Sequence, residues 1–208
     1  GLTDSNPKST PCAYPLGACK DAPPFNDEFN YRSAVGMLMY LGNNTRVDCA
    51  FAINQCARFS ADPRTPHGEA AKRIGRYLEG TTEEGLIINP DPKYTSLDCY
   101  VGSDFVGLWG YEDIQDPVST RSRTGFLVTL GMVPVTWVSK LQTESSFSTM
   151  EAEYVALSAC MCTLIPLQRK LREICSALDV PLDDRSMLSI VWEDNQAALG
   201  LATSDPPR

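Results

Sequence analysis

The amino-acid sequence predicts a mixed α/β fold of the α+β type, with a helical first part and a second part in which helices pack on a sheet. In the first part, apolar residues recur every three or four positions, as they do along one face of a helix. From Leu97 onward, apolar and polar residues alternate, which is typical of a half-buried strand. A long helical pattern follows these strands, and a sheet needs such a cover for its apolar face.

Length and composition agree with one or two folded domains. The chain has 208 residues, of which 43% are hydrophobic and 21% charged, as in ordinary folded proteins. Residues 1–30 are rich in Pro, Asp, Asn and Ser and show no period, which predicts a flexible arm. We expect residues 31–92 to form a small helical segment and residues 93–208 to form the α/β domain.

The helical segment is predicted to contain three helices, which span Tyr31–Leu41, Asp48–Phe59 and Glu69–Leu78. Asp48 suits the start of the second helix, as a cap or first-turn acid. Three basic residues, Lys72, Arg73 and Arg76, lie on the third helix. They are either a solvated face or a surface that contacts a nucleic-acid backbone.

The second domain is predicted to follow the order β-β-β-α-α-β-α. The first three strands form an antiparallel meander and cover Leu97–Asp104, Thr124–Leu130 and Val135–Ser139. The remaining predicted elements are a helix over Ser148–Cys162 capped by Ser148 or Thr149, a continuation over Pro166–Leu178 with Pro166 near its first turn, a short strand over Ser189–Trp192, and a helix over Asn195–Ala202.

Acidic residues stand at the ends of these predicted elements. Asp104 closes the first strand, Glu151 and Glu153 lie early in the long helix, and Asp194 follows the short strand. Carboxylates from separate elements that meet at one sheet edge are what a two-metal phosphodiesterase needs. Acids near helix N-termini also simply cap the helix and complement its dipole, and spacing alone favours that interpretation.

The net charge and the placement of the cysteines bear on the partners and the cellular location of the protein. The net charge is −8, from 18 basic and 26 acidic residues, which argues against a free-standing tight nucleic-acid binder because phosphate neutralisation supplies most of that affinity. We expect no apolar run of bilayer length and no signal peptide. Most of the eight cysteines sit in apolar helical stretches, which favours a reduced, intracellular location in cytoplasm or nucleus.

Several blocks of the chain resemble the Pol polyprotein of copia-type LTR retrotransposons. The stretch SRTGFLVTLGMVPVTWVSKLQTESSFSTMEAEYVALS resembles the RNase H segment, with its R-S-x-T-G-Y strand, P-x-x-W-x-S-K-x-Q strand pair and S-T-x-E-A-E-Y-x-A-L helix. Val191–Leu199 resembles the D-N-Q-A-A block. Upstream, NYRSAVGMLMYLGNNTRVDCAFAINQCARF and AAKRIGRYLEGT resemble the end of the reverse transcriptase. The blocks are ordered over about residues 25–203, which makes the resemblance specific.

This resemblance implies an RNase H-like sheet preceded by a reverse-transcriptase thumb or connection segment. It implies cleavage of RNA in RNA–DNA hybrids by two-metal hydrolysis with Mg²⁺, with the hybrid and the rest of the polyprotein as partners and no membrane. By position in the motifs, the catalytic and metal-binding residues are Asp104, Glu153 and Asp194, with Glu151 as a first-turn cap. Lys72, Arg73 and Arg76 are the nucleic-acid contacts that a thumb helix would supply.

One departure from the family pattern changes the expected activity. The first aspartate of the family's D-x-D-[WF]-x-G strand, which bridges both metals, is Gly102 here, and Asp104 matches the second. Asp104 is displaced by about 6–7 Å along the strand, further than catalytic geometry tolerates. The family pattern also continues after the D-N-Q-A-A helix, so we expect a C-terminally truncated domain. We therefore expect an inactive ribonuclease fragment, or a repurposed copy that serves as a non-catalytic binding or scaffold protein.

Overall fold

The fold contains five α-helices and a four-stranded sheet among the described residues. A computed structural model of the protein describes residues 5–26, 29–91, 93, 96–113, 115–181 and 188–204. The mixed α+β class predicted from the sequence is confirmed. The chain divides into two compact units, one of residues 1–86 with 106–120 and the other of residues 87–105 with 121–208.

The first unit is built on the three predicted helices, α1 (Tyr31–Asn44), α2 (Ala50–Ala57) and α3 (Thr65–Gly80). A short 3₁₀ turn over Val47–Cys49 precedes α2, so Asp48 lies just before that helix. Helix α3 begins four residues earlier than predicted. Pro66 stands in its first turn, where the missing N–H costs nothing, and Arg64 and His67 form a reciprocal cap.

The segment predicted to be a flexible arm contributes to the core of the first unit where the structure describes it. Leu16 and Phe25 are buried in the same apolar cluster as Val35, Ile53 and Ile74. Their burial removes apolar surface from water, which offsets the ordering of a stretch that has no helical or strand period. Residues 1–4 and 27–28 of the arm lie outside the described residues.

Residues 106–120 also belong to the first unit, so the boundary between the units is not the single break at residue 92 that the sequence suggested. Glu112 explains this placement. Its carboxylate accepts hydrogen bonds from the Arg58 guanidinium at 2.5 Å and from the Ala18 backbone N–H at 2.8 Å. The Glu112 side chain is almost fully buried, and a buried charge is retained only when it is paired in this way.

His67, in the first turn of α3, is a structural residue. Its ring is fully buried and stacks on Phe59, with 4.1 Å between ring centroids. Nδ1 accepts a hydrogen bond from the Arg64 backbone N–H at 2.8 Å, and Nε2 lies 2.9 Å from the Gly17 carbonyl oxygen. Burial lowers the pKa of the His67 imidazole because the charged form loses its hydration.

The second unit contains a mixed sheet whose spatial order is β3-β2-β1-β4. Strands β1 (Leu97–Asp104), β2 (Arg123–Leu130) and β3 (Val133–Leu141) form the predicted antiparallel meander. Strand β4 (Val191–Trp192) pairs with β1 in parallel. The register between these strands shifts opposite Val128 and Thr129, where β3 carries one extra residue, Val135.

Helix α4 (Thr149–Ala177) covers one face of this sheet, and the short helix α5 (Gln196–Thr203) follows β4. The sequence suggested that a new helical stretch starts near Pro166, but α4 runs through it without interruption for 29 residues. Apolar residues on both sides of the proline, including Cys160, Leu164 and Leu171, pack on the same core with Cys99 of β1. This shared packing outweighs the hydrogen bond that proline cannot donate.

The length of α4 corrects one expectation about membranes. By length and composition alone, α4 is long and apolar enough to cross a bilayer. This is weak evidence, since the core helix of a folded unit passes the same test, and the buried residues of α4 pack on the sheet.

Candidate acidic site at the carboxyl edge of the sheet

The parallel pairing of β1 and β4 places their carboxyl ends at one edge of the sheet. Cys99 pairs with Val191 and Tyr100 with Trp192. Because the two strands are parallel, residues 102–104 and residues 193–194 both follow this pairing at the same end of the sheet. The Cys99 N–H donates to the Ile190 carbonyl oxygen at 2.8 Å and secures this pairing. The acids after β4 therefore approach the end of β1.

The N-terminus of α4 brings a third element to this edge. The Ser148 hydroxyl oxygen accepts a hydrogen bond from the Glu151 N–H at 3.1 Å, and a Glu151 carboxylate oxygen accepts one from the Phe147 N–H at 2.7 Å. The Glu151 carboxylate is thus engaged at the N-terminus of α4, where the sequence suggested a first-turn cap. Glu153 points elsewhere, because residues two apart on a helix face different sides.

Gln142 anchors the start of α4 to the sheet. Its buried side-chain amide donates to the Thr124 hydroxyl at 3.1 Å and to the Ala152 carbonyl oxygen at 3.0 Å. The Gln142 carbonyl oxygen accepts a hydrogen bond from the Ser146 hydroxyl at 3.1 Å. These contacts set the distance between β2 and the helical turn that carries Glu153, a positioning role that the sequence analysis did not assign.

Three carboxylates converge at the edge: Glu153 from α4, and Glu193 and Asp194 from the segment after β4. One oxygen of each lies within 4.8 Å of the other two. The Glu153 side chain is buried, and the Oε2 atoms of Glu153 and Glu193 are enclosed without a hydrogen-bond partner among the described residues. Glu193 Oε1 accepts from the Asn195 N–H at 3.0 Å, and Asn195 caps α5 through the Ala198 N–H.

The burial of these carboxylates and the repulsion between them raise the pKa of Glu153 and that of Glu193. Burial, and after it the negative charges of Glu193 and Asp194, raise the pKa of Glu153 to about 7, while a backbone hydrogen bond from Ser103 partly opposes the shift. Burial is also the main cause of the raised pKa of Glu193. Within the described part of the chain, none of the three carboxylates pairs with a basic side chain.

Gly102 lies on β1 beside this group. The backbone of its neighbour Ser103 forms a hydrogen bond with Glu153, which lowers the pKa of that carboxyl. Gly102 itself pairs with Gly125 of β2. Gly102 is not in the left-handed region of backbone conformation. A β-carbon added at Gly102 would meet no described atom within 4 Å, so the position has room for a larger side chain.

The structure brings together two of the three predicted site residues. Glu153 and Asp194 share the acidic group, whereas Asp104 is exposed at the end of β1 and is not a member of it. The sequence analysis missed Glu193, the third member. Its position directly before Asp194 was the only available signal, and adjacent acids at a strand end do not reveal by themselves which of them turns toward a neighbouring helix.

The three basic residues predicted to contact nucleic acid are partly buried on α3, and the side chains of Lys72 and Arg73 have partners within the first unit. Lys72 Nζ lies 2.9 Å from a Glu69 carboxylate oxygen. The Arg73 guanidinium donates to the Thr10 carbonyl and hydroxyl oxygens at 3.1 and 2.8 Å. Arg76 accepts a backbone hydrogen bond from the Lys8 N–H. These contacts favour the structural alternative for Lys72 and Arg73.

Carboxylate oxygens grouped in this way suit hard divalent cations such as Mg²⁺, Mn²⁺ and Ca²⁺. The enclosed, unpartnered oxygens of Glu153 and Glu193 fit such an ion, because a cation would replace the hydration that they have lost. The fold and the site thus define an α+β protein with an acidic, cation-compatible group at the carboxyl edge of its sheet.

Comparisons with known proteins show what this chain is similar to. The chain is 37% identical, over 97% of its length, to the retrovirus-related Pol polyprotein from transposon TNT 1-94 of Nicotiana tabacum, and it spans 14% of that protein. It is 33% identical over 86% of its length to the Pol polyprotein from transposon RE2 of Arabidopsis thaliana, of which it spans 11%. It is 38% identical over 62% of its length to secreted RxLR effector protein 161 of Plasmopara viticola, of which it spans 84%.

These Pol polyproteins come from copia-type transposons, and the chain is similar to a part that makes up 10–14% of their length. No protein-family model matches the chain. No solved structure matches it either.

Proposed function

We propose that this chain is the segment of a retrotransposon polyprotein in which the end of the reverse transcriptase passes into the RNase H domain, and that it does not cleave RNA by itself. The first unit corresponds to the reverse-transcriptase end and the second unit to the RNase H domain. The carrying observation is the convergence of Glu153 and Asp194 at the carboxyl edge of the sheet, next to a glycine at position 102. We place this protein inside the cell, in the cytoplasm or nucleus.

The ancestral reaction is hydrolysis of RNA in an RNA–DNA hybrid. Mg²⁺ ions, when bound, activate water and stabilise the leaving oxygen of the phosphodiester. In this chain, the carboxylates of Glu153 and Asp194 would hold the metal. Gln142 sets the position of Glu153 through its hydrogen bond to Ala152. Carboxylates that bind a cation must be ionised, so binding competes with the proton that the raised pKa of Glu153 favours.

The loss of activity rests on Gly102. A two-metal site requires a carboxylate that touches both ions, about 4 Å apart, and glycine has none. Asp104 does not replace it, because its carboxylate is not part of the acidic group. Catalysis depends on atoms being held to within about 1 Å, so a carboxylate two strand positions away does not restore the site.

The test is to restore the missing acid. Gly102→Asp has room in the structure and adds one carboxylate beside Ser103. We expect the unmodified chain to leave a labelled RNA–DNA hybrid intact in Mg²⁺ and the variant to cleave its RNA strand. Gly102→Asn, which has nearly the same shape and no charge, is the matched control and should remain inactive.

Two results would contradict the proposal. Mg²⁺-dependent cleavage by the unmodified chain at the rate of Gly102→Asp would show that Gly102 has not inactivated it. A folded Gly102→Asp variant that leaves the hybrid intact would favour the second candidate, a repurposed non-catalytic binding or scaffold protein.

A further inference from the structure

A cleft in the first unit is lined by more positive than negative charge. Its volume is about 210 Å³, and its walls come from the arm, from α2 and from α3. Three basic side chains line it, those of Lys8, Arg73 and Arg76, against one acid, Glu69. Glu69 is paired with Lys72, whose Nζ lies 2.9 Å from a carboxylate oxygen. The cleft therefore keeps an excess of positive charge.

The basic side chains of the cleft have donors to spare. The Arg76 side chain is partly buried, and its Nε atom is enclosed without a hydrogen-bond acceptor in the part of the chain that the structure describes. Arg73 donates to Thr10 through Nε and Nη2, which leaves Nη1. Among the described residues, none of the ion pairs involves Lys8, Arg73 or Arg76. A partly buried cation without a counter-charge is costly, and an anion in the cleft would supply that charge.

The rest of the cleft is suited to hydrocarbon. Leu16, Ala52 and Ile74 line it and belong to the buried core of the unit. Pro11 and Ala13 add apolar surface from the arm. A cavity of about 150 Å³ with apolar walls holds one benzene molecule. The cleft therefore has room for one aromatic ring with a small charged substituent.

We propose that this cleft binds a small organic carboxylate, with the apolar body against Leu16 and Ile74 and the carboxylate against Arg76 and Lys8. A carboxylate matches a planar guanidinium, because two parallel N–H groups donate to its two oxygens. Small-molecule sites commonly combine a mostly apolar wall with a few polar groups that fix the ligand. The lining residues all belong to the first unit, so this site is independent of the acidic group and of Gly102.

The arm forms one wall of the cleft and is joined to α3 by polar contacts. The Lys8 backbone N–H donates to the Arg76 carbonyl oxygen at 3.4 Å, and the Ser5 hydroxyl donates to a Glu79 carboxylate oxygen at 2.8 Å. The first of these contacts brings Lys8 and Arg76 together. A ligand that touches both the arm and α3 stabilises the closed arrangement, so it should slow local opening of the arm.

Benzoate binding by the full 208-residue chain tests the proposal, with an NMR titration of the amide signals as the readout. We expect saturable shifts in residues 8–16 and along α3, and slower amide hydrogen exchange in residues 8–16. Benzyl alcohol has the same ring without the charge, and inorganic phosphate has charge without the ring. Each should bind at least about tenfold more weakly than benzoate, because each makes only one of the two kinds of contact.

Three substitutions locate the site. Arg76→Met keeps an unbranched stem without the charge and should weaken benzoate binding about tenfold or more. Lys8→Met removes the charge on the arm and should weaken binding by a smaller factor. Arg32→Met removes a charge from an exposed position on α1 outside the cleft and should leave binding unchanged. Lys8→Met decides the question if Arg76→Met does not fold.

Several results would overturn the inference. One is the absence of saturable benzoate shifts, and another is equal benzoate affinity in Lys8→Met and the unmodified chain. Benzyl alcohol or phosphate binding as tightly as benzoate would show that charge and ring are not recognised together. Displacement of benzoate by a short RNA–DNA hybrid would show that these basic residues contact a nucleic-acid backbone instead.

Discussion

Replacement of Glu153 by glutamine should make the second unit more stable at neutral pH and remove a pH dependence that the unmodified chain shows. The pKa of Glu153 is raised from 4.5 to about 7 in the folded protein. A carboxyl with a raised pKa holds its proton more tightly when folded, so its contribution to stability is complete below about pH 4.5. That contribution is lost as the pH rises through 7.

The shift sets an upper limit on the size of this effect. Each pKa unit corresponds to about 1.4 kcal/mol, so the full shift would amount to about 3 kcal/mol. Solvent and salt reach part of the group, and we therefore expect a loss of about 1–2 kcal/mol between pH 5 and pH 8. Glutamine carries no charge at either pH. The free energy of unfolding of Glu153→Gln should therefore change between pH 5 and pH 8 only through the other titrating groups of the chain.

Urea unfolding followed by circular dichroism at pH 5 and pH 8, in chelator to exclude metal, measures the difference. Amide hydrogen exchange in residues 149–160 localises it to the start of α4. Glu173→Gln removes an exposed carboxylate from the same helix and should retain the pH dependence of the unmodified chain. The reasoning fails if Glu153→Gln and the unmodified chain lose the same stability between the two pH values.

Two further substitutions test the supports of the fold. Gln142→Ala removes the buried donors to Thr124 and Ala152 and should lower the free energy of unfolding in urea by about 1–3 kcal/mol. Amide hydrogen exchange at the start of α4 should become faster, and unchanged exchange there would contradict the anchoring role of Gln142. His67→Ala removes the Arg64 cap and the stack on Phe59 and should cost about 2–4 kcal/mol, whereas an unchanged urea midpoint would show that the buried imidazole contributes nothing.

Most of the regular elements were predictable because their patterns are local. β1 has the predicted bounds, Leu97–Asp104, since alternation and the following turn residues define both ends. The start of α4 follows from Ser148 and Glu151, which form a cap four residues long. The end predicted near Pro166 was wrong, because the packing of Leu164 and Leu171 on the sheet outweighs the local preference of proline.

The site was only half predictable. The motif resemblance pointed to Glu153 and Asp194, and the structure places them together. Asp104 matched the motif equally well, but its carboxylate is not part of the acidic group. Glu193 had no pattern around it that distinguished a site residue from a solvated acid.

The sequence by itself determined the kinds of elements, their order apart from the break predicted before Pro166, and the absence of an acid at position 102. These depend on side-chain spacing over a few residues and on the residue type at one position. Only the tertiary structure decided that Glu193 joins Glu153, that Gln142 holds α4 to β2, and that Leu16 and Phe25 of the arm are buried. Such contacts join residues far apart in the chain, and their geometry is set by the parallel pairing of β1 with β4 and by the packing of whole helices.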